Sequence, residues 1–403
     1  MRVFADLQLH SKYAMATSKD MDLEHLAEGA RVKGLGLLGT GDFTHPKWFS
    51  ELKSKLTPLG TTGLFSYHET TWMLSGEIST IYEKGGKVRK VHHLLYAPDF
   101  ETVAQANEFL SKFSDLSSDG RPILTGIDSA GLVEGLASVS ASLFVIPAHA
   151  WTPWFSVFGS KSGFDSLKEC YEDQTSKIFA IETGLSSDPE MNWRISSLDG
   201  VALVSNSDSH SPNPWRLGRE ANAFELPQLT YKGIFDAIRL RDRSRFLFTV
   251  EVDPSYGKYH FTGHKKCGVS LSPTEAKAAG NRCPKCGKKM TVGVLQRVEE
   301  LADRPEGYVP SGAIPFRRLL PLYEVISFST GVRSLYARSV LALQDRLVRR
   351  FGDEFTVLLD AGEGDLSEVV PAKVAKAIIA SREGRVRVTP GYDGVYGVPE
   401  PVE

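Results

Sequence analysis

Imidazole and carboxylate side chains gather where the apolar runs of this 403-residue chain end. Val3-Phe4-Ala5 leads into Asp6-Leu7-Gln8-Leu9-His10, and the run from Leu35 to Leu38 leads into Gly41-Asp42-Phe43-Thr44-His45. Glu77 follows Trp72-Met73-Leu74, His92-His93 follow Val91, and His149 follows the run from Leu143 to Pro147. Val201 to Val204 opens into Asp208-Ser209-His210. Imidazole and carboxylate suit Zn, Mn and Fe. Positions this far apart meet only if the fold collects strand ends at one rim, as a barrel of parallel strands does. The pattern predicts a polynuclear metal site with metal-assisted hydrolysis as its chemistry. Glu77, Asp208 and His210 are the candidate catalytic groups. Glu182 ends another apolar run and is a candidate ligand, base or structural residue, whereas His25 and His68 read as capping or packing residues.

A second constellation is of a different kind. His264-Lys265-Lys266-Cys267 and Cys283-Pro284-Lys285-Cys286 are two chelating pairs separated by fifteen residues. Three thiolates and one imidazole close a tetrahedral zinc site that leaves no open position. His260 is the alternative imidazole to His264. So small a segment has little apolar core, and structural zinc supplies about 10–16 kcal/mol in finger peptides. Cys170 stands alone and reads as a small core hydrophobe. Clustered cysteines without a disulfide framework predict a reducing, cytoplasmic setting.

Strands and returning helices must position the rim. Residues 21–33 predict a helix with Leu23, Leu26, Ala27 and Ala30 on one face and Gly34 as its stop. Further helices are expected over 100–113, 130–141 and 231–240. Strands are expected at 35–38, 94–96, 143–146, 178–181, 201–204 and 246–250. This alternation implies a parallel α/β sheet or barrel. Periodicity is lost over 252–292. Residues 293–349 read as helical, broken at Pro305, Pro310, Pro315 and Pro321. Residues 355–384 predict two amphipathic helices around Gly362-Glu363-Gly364, and 390–397 is turn-rich.

A chain of this length accommodates more than one domain, and 41% apolar with 24% charged residues is ordinary for a globular protein. No run approaches a membrane span, and the opening Met1-Arg2-Val3-Phe4-Ala5-Asp6 carries charge at once, which predicts no signal peptide. The net charge of −2 hides an asymmetry. Residues 1–231 hold 20 basic and 28 acidic side chains, 232–350 hold 22 and 11, and 351–403 hold 5 and 10. The basic middle suits a polyanion such as nucleic acid; a solvated face balanced by the acidic parts is the other reading. No G-x4-G-K-[ST] phosphate loop is present, which excludes an ATP-driven motor of that class.

The rim motifs resemble the PHP (polymerase and histidinol phosphatase) superfamily over roughly residues 1–250. Asp6-Leu7-Gln8-Leu9-His10 matches the opening D-L-H-x-H motif, Glu77 the bridging glutamate and Asp208-Ser209-His210 the closing D-x-H motif. Asp42 or His45 stands near the second motif. His92 and His149 match the single histidines of the middle motifs, with His92 favoured over His93 by its spacing to Ala97. The resemblance implies a distorted (β/α)7 barrel, two to three divalent ions (Zn, Mg or Mn) at the rim and phosphoester hydrolysis. Gln8 departs from the pattern, since an amide oxygen is a poorer zinc ligand than imidazole; it binds a metal weakly or acts through hydrogen bonds. A further histidine of the family is also missing near Ala16.

The order of a PHP barrel over 1–251, a zinc module over 252–300 and a helical domain over 301–403 resembles the endonuclease Q family. Thr40-Gly41-Asp42-Phe43-Thr44-His45-Pro46, Ile146-Pro147-Ala148-His149-Ala150-Trp151-Thr152-Pro153-Trp154 and Val298-Glu299-Glu300-Leu301-Ala302-Asp303-Arg304 carry the likeness. It implies a repair endonuclease that cuts DNA on the 5′ side of uracil, hypoxanthine, xanthine or an abasic site. Candidate phosphate contacts are Lys19, Arg194, Arg216 and Arg219 on barrel loops, with Lys265, Lys266, Lys288 and Lys289 on the zinc module. Residues 358–385 resemble a helix-hairpin-helix. Trp151, Trp154, Phe155 and Trp193 are candidate platforms for an extruded base, or packing residues. A PHP phosphatase acting on a small phosphomonoester explains the rim equally well but not the zinc module or the basic middle. A non-catalytic nucleic-acid-binding protein is a third reading, opposed by the retained Glu77, His149, Asp208 and His210.

Overall fold

The Arg2–Asp6 strand lies at the centre of a mixed sheet, parallel to Leu35–Gly39 on one side and antiparallel to Ala221–Glu225 on the other. The structure, a computed structural model, describes residues 2–400. Leu35–Gly39 pairs in parallel with Thr70–Lys84, a 15-residue strand that forms a long hairpin with Lys87–Ala97. Lys87–Ala97 pairs antiparallel to Phe144–Pro147. A separate parallel pair, Ala180–Glu182 with Ala202–Val204, follows. Strand order therefore departs from the all-parallel sheet expected from the alternation. Parallel pairing survives at the first strands, in the separate pair, between Thr70–Lys84 and Ile123–Thr125 and between Phe246–Glu251 and Phe316–Arg318, and the remaining pairs are antiparallel.

Helices close the outer face. Asp22 caps Leu23–Lys33 by accepting from the His25 amide, and Gly34 ends it in the left-handed region at φ 91°. Leu23, Leu26 and Ala30 are buried against the sheet, as their spacing requires. Tyr231–Leu240 occupies the predicted residues, capped by Thr230. Among the described residues no helix is long and apolar enough to cross a membrane.

Residues 293–349 are not helical throughout. After Val294–Leu301 an irregular stretch leads to the strand Phe316–Arg318, which extends the sheet beside Phe246–Glu251. Leu322–Thr330 and Arg338–Phe351 then pack with Glu363–Val369 and Ala372–Arg382. Gly362 separates the π-helical segment Thr356–Asp360 from Glu363–Val369, near the predicted break, and an additional turn at Val370-Pro371 leads into Ala372–Arg382.

This helical part is docked on the mixed sheet. Phe355 stacks on Phe4, with ring centroids 4.3 Å apart. Beside it the Lys33 ammonium meets the Glu354 carboxylate at 2.6 Å, both side chains almost wholly buried. Removing one partner strands a buried charge, which costs about 3–5 kcal/mol. Glu354→Gln should therefore lower stability by about 3 kcal/mol in denaturant titrations, while the double variant Lys33→Met/Glu354→Leu should recover most of the loss. A single variant as stable as the parent would remove the pair from the docking interface.

Candidate active site

Six strands deliver the predicted groups to one rim. Leu9 bridges Ser209, so the segment after the first strand runs beside the loop carrying Asp208 and His210. Asp6 holds that loop. Its carboxylate accepts from the amides of Ser207 (3.0 Å) and Gly218 (2.9 Å), and burial raises its pKa to about 6. Asn206 accepts from the Leu7 amide and donates to Glu182, whose other oxygen accepts from the His149 amide at 2.7 Å. Three rim residues hold left-handed backbone without being glycine: Asp42 (φ 48°), His149 (φ 29°) and Asp208 (φ 47°). Such strain persists only where the surroundings over-determine it, and it clusters at functional sites. Gly184 permits the approach to His149, because a Cβ there would lie 2.7 Å from the His149 Cβ.

The side chains form two neighbouring groups, His10–Asp208–His210 and Glu77–His92–His149, in each of which ligand atoms lie within 4.8 Å of one another. Glu77 joins them. Its Oε2 lies 3.0 Å from His10 Nε2, and its Oε1 lies 2.6 Å from His92 Nδ1 and 3.5 Å from His149 Nε2. His10 Nε2 is also 3.1 Å from Asp208 Oδ1. Yet His10 Nε2, Glu77 Oε1 and Asp208 Oδ1 are buried without a well-formed hydrogen bond. Buried polar atoms ordinarily have partners. A nitrogen and two carboxylate oxygens left over at one place form a donor set that fits a divalent cation.

The outer hydrogen bonds point the same way. Asp42 meets His10 Nδ1 at 2.9 Å and directs Nε2 inward. The Asp208 carbonyl engages His210 Nδ1 at 2.9 Å, and Thr152 and Ser156 hold His149 Nδ1 at 3.1 and 3.0 Å. Partners of this kind orient metal-ligating imidazoles. Burial lowers the pKa of His210 and brings that of His92 to about 4, which favours the neutral imidazole. Burial opposes ionisation of Glu77, but His92 and Arg121 outweigh it and hold that carboxyl well below its usual range. Burial raises Glu182 to about 8 against the pull of His149 and Asn206.

Several predicted residues sit elsewhere than expected. Glu77 and His92 lie within long strands rather than at strand ends. Asp42 stands behind His10, and His45 stacks on Tyr13 with centroids 4.5 Å apart, outside both groups. Gln8 donates its amide to Glu77 at 3.0 Å, while its Oε1 is buried without a partner. His93 turns to the opposite face, among Thr80, Ser129 and Tyr171.

The groups face a cleft of about 590 Å³ lined by Arg121, Trp154, Phe155, Arg216, Arg219, Lys258, Tyr259 and Tyr396. Trp154 is exposed on its rim. Trp151 is buried, donates to Asn192 and packs on Phe158, so it cannot serve as a platform. Trp193 packs edge-on against Phe316, and Arg194 accepts the amides of Asp303 and Arg304 through its carbonyl; neither lines the cleft. Arg219 is buried and clamps the Ser207 carbonyl. Lys19 is exposed beside Ser18, whose amide donates to the His210 carbonyl. Arg121, 3.7 Å from Glu77, was missed because Asp119-Gly120 before it reads as an ordinary turn. Tyr396 arrives on the segment 388–399. This segment bonds back to Ser255, Tyr256, Lys258 and Phe261, and Asp393 accepts from the Lys265 amide.

His264, Cys267, Cys283 and Cys286 converge in a third group within the same 4.8 Å limit. His260 is buried on Phe261 and outside it, so His264 is the imidazole of the module. Burial would raise the Cys283 thiol, but the backbone amides of Lys285 and Cys286 lower it to about 6, the thiolate character that zinc requires. Lys265, Lys266, Lys288 and Lys289 surround the module and are exposed.

The comparisons extend over the whole chain. A family model described as the MJ0043 C-terminal domain matches residues 321–385. The uncharacterized protein MJ0043 of Methanocaldococcus jannaschii is 36% identical over 254 residues, 62% of this chain but 31% of that protein, so the chain spans about a third of its length. The uncharacterized protein YqxK of Bacillus subtilis is 30% identical over 99% of this chain and all of its own length. The lesion-specific endonuclease PfuEndoQ of Pyrococcus furiosus superposes with a TM-score of 0.89 at 35% identity, covering 100% of this chain and 96% of that one. An endonuclease Q in complex with a 27-mer duplex with an abasic lesion at its active site gives 0.90 at 36% identity, covering 100% and 97%. With identity at this level along the entire length, the chain belongs to the endonuclease Q family.

Proposed function

We propose that this protein is a metal-dependent endonuclease that nicks duplex DNA at a lesion, on the 5′ side of a deaminated base or an abasic site. The observation that carries the reading is Glu77 standing between two sets of ligand atoms at the floor of an aromatic and cationic cleft. His10, Asp208 and His210 would hold one ion and His92 and His149 a second, with Glu77 between them. Divalent ions there supply Lewis acidity and activation of water for phosphodiester hydrolysis. Arg121 is the cation placed to meet the scissile phosphate. Arg216 and Lys258 flank the strand, and Trp154 with Tyr259 offers aromatic surface to an unstacked base. Residues 1–251 carry the chemistry, 252–300 hold one structural zinc and flank the duplex, and 301–403 complete the outer wall. Residue 1 and residues 401–403 of that division lie outside the described residues.

The test is incubation with duplexes carrying one uracil, one hypoxanthine or one abasic site, beside an undamaged duplex and a small phosphomonoester, with Mg2+, Mn2+ or Zn2+. A single nick 5′ of the lesion is expected, leaving 3′-hydroxyl and 5′-phosphate ends. Equal cutting of damaged and undamaged duplexes would leave a nonspecific nuclease; turnover of the monoester alone would make it a phosphatase. Trp154→Ala should weaken lesion binding by about 1–3 kcal/mol, the worth of one stacked base. Affinity unchanged in that variant would remove Trp154 from base recognition.

A further inference from the structure

We propose that the arginine face of the Arg338–Phe351 helix binds the phosphate backbone of the duplex arm that leaves the cleft; this rests on the reading of the cleft as a DNA site. The helix buries Val340, Gln344 and Leu347 against the domain. Arg338, Ala342, Arg346 and Arg349 follow at helical spacing on the opposite side, and all four are exposed. The helix holds four arginines and one acid, Asp345, which engages Arg349 at 3.0 Å. Arg338 and Arg346 make no ion pair among the described residues. An exposed bridge of the Asp345 kind contributes little and does not cancel the field of the row. Ala342, in the middle, leaves the face low enough for a phosphate to approach.

The row begins beside the cleft. Arg216 lines the cleft, and the preceding Trp215 meets Tyr336 edge-on at 5.0 Å. Tyr336 is 67% exposed and stands two residues before the helix. Tyr336 and Arg338 therefore stand close to Arg216, beside the path of a duplex arm that leaves a lesion held over Glu77. The 14-residue helix is about 21 Å long at 1.5 Å per residue. That is about six base pairs of B-DNA at 3.4 Å each. Part of the positive charge of residues 232–350 that the cleft leaves over is placed on this row.

The experiment compares the full-length protein with Arg338→Ala/Arg346→Ala/Arg349→Ala and with the corresponding triple lysine variant. Fluorescence anisotropy over a NaCl series would use a short lesion duplex whose arm on the helix side stops about 3 base pairs from the lesion and a long one whose arm runs on by more than the helix spans. On the long duplex the alanine variant should lose about tenfold or more in affinity, and its log–log salt slope should become shallower by about 2–3, at about 0.9 per phosphate. The short duplex should bind as before, turnover of saturating substrate should not change, and lysine should restore the long-duplex affinity. An unchanged slope on the long duplex, or an equal loss on both lengths, overturns the proposal. The reading of the cleft fails separately: a parent protein that binds and cuts undamaged and lesion duplexes alike loses lesion recognition, whatever the length dependence shows.

Discussion

Asp208→Ala should abolish strand cleavage while leaving most of the DNA affinity. Asp208 Oδ1 is one of the buried atoms converging on His10 Nε2, and its left-handed backbone is held by the Asp6 contacts to Ser207 and Gly218. Removing the carboxylate takes away a ligand atom without disturbing Arg216, Lys258 or Tyr259. A loss of about a thousandfold or more in single-turnover rate is expected, about 4 kcal/mol of transition-state stabilisation. Asp42→Ala provides the graded contrast. Asp42 acts through His10 Nδ1, and losing such an orienting partner costs about 10–100-fold. Added divalent metal should rescue Asp42→Ala in part, because the ligands themselves remain. Near-parental nicking by Asp208→Ala would remove that carboxylate from the mechanism. Equal and unrescued losses in both variants would make Asp42 a ligand.

Cys283→Ser should release the structural zinc and cost the module most of its folding energy, of which the ion supplies about 10–16 kcal/mol in comparable fingers. The apolar cluster beneath the site is small: Val269, Ala276, Cys283 itself and Met290. The damage should stay local, because the following helix is tied to the N-terminal part independently. Arg297 donates to the Phe158 and Phe164 carbonyls at 3.0 Å, and the Ser160 hydroxyl donates to the Val292 carbonyl. In the full-length variant, zinc analysis should show one equivalent fewer. DNA affinity should fall with the ordered lysines, while the rim still takes up metal. Full zinc content in this variant would remove Cys283 from the ligand set.

Much of the rim was legible because its ligands sit in short motifs whose residue types have few other uses together. Asp208-Ser209-His210 and the two chelating pairs were read from spacing and found converged. The Thr70–Lys84 hairpin was not legible. Its first strand is buried on both faces over most of its length, so period-two alternation is absent, and Ser75-Gly76-Glu77 in its middle reads as the end of a run. The Phe316–Arg318 strand was hidden because Pro315 and nearby Pro321 read as helix breaks in a helical region. Trp151 and Arg194 show the limit of residue type as a guide. An indole near a metal motif is as useful to a core as to a ligand, and here the Asn192 hydrogen bond and Phe158 take it. Strand alternation allows only one of the two adjacent histidines to face Glu77, and the structure assigns that place to His92.

The return of residues 388–399 across the cleft has a bearing on biosynthesis. Tyr396 lies beneath Arg216 and Lys258, with the cations 5.4 and 5.6 Å from its ring centre. The amide of Gly397 reaches back to the Tyr256 carbonyl. Domains fold as units during synthesis, the N-terminal part first. A nascent chain can therefore complete the N-terminal strands and their ligand groups long before the ribosome delivers the wall that confines a strand over them. The order of translation separates assembly of the hydrolytic centre from assembly of the groove that admits DNA, so a truncated product stopping before Val388 would carry the ligands without the enclosure.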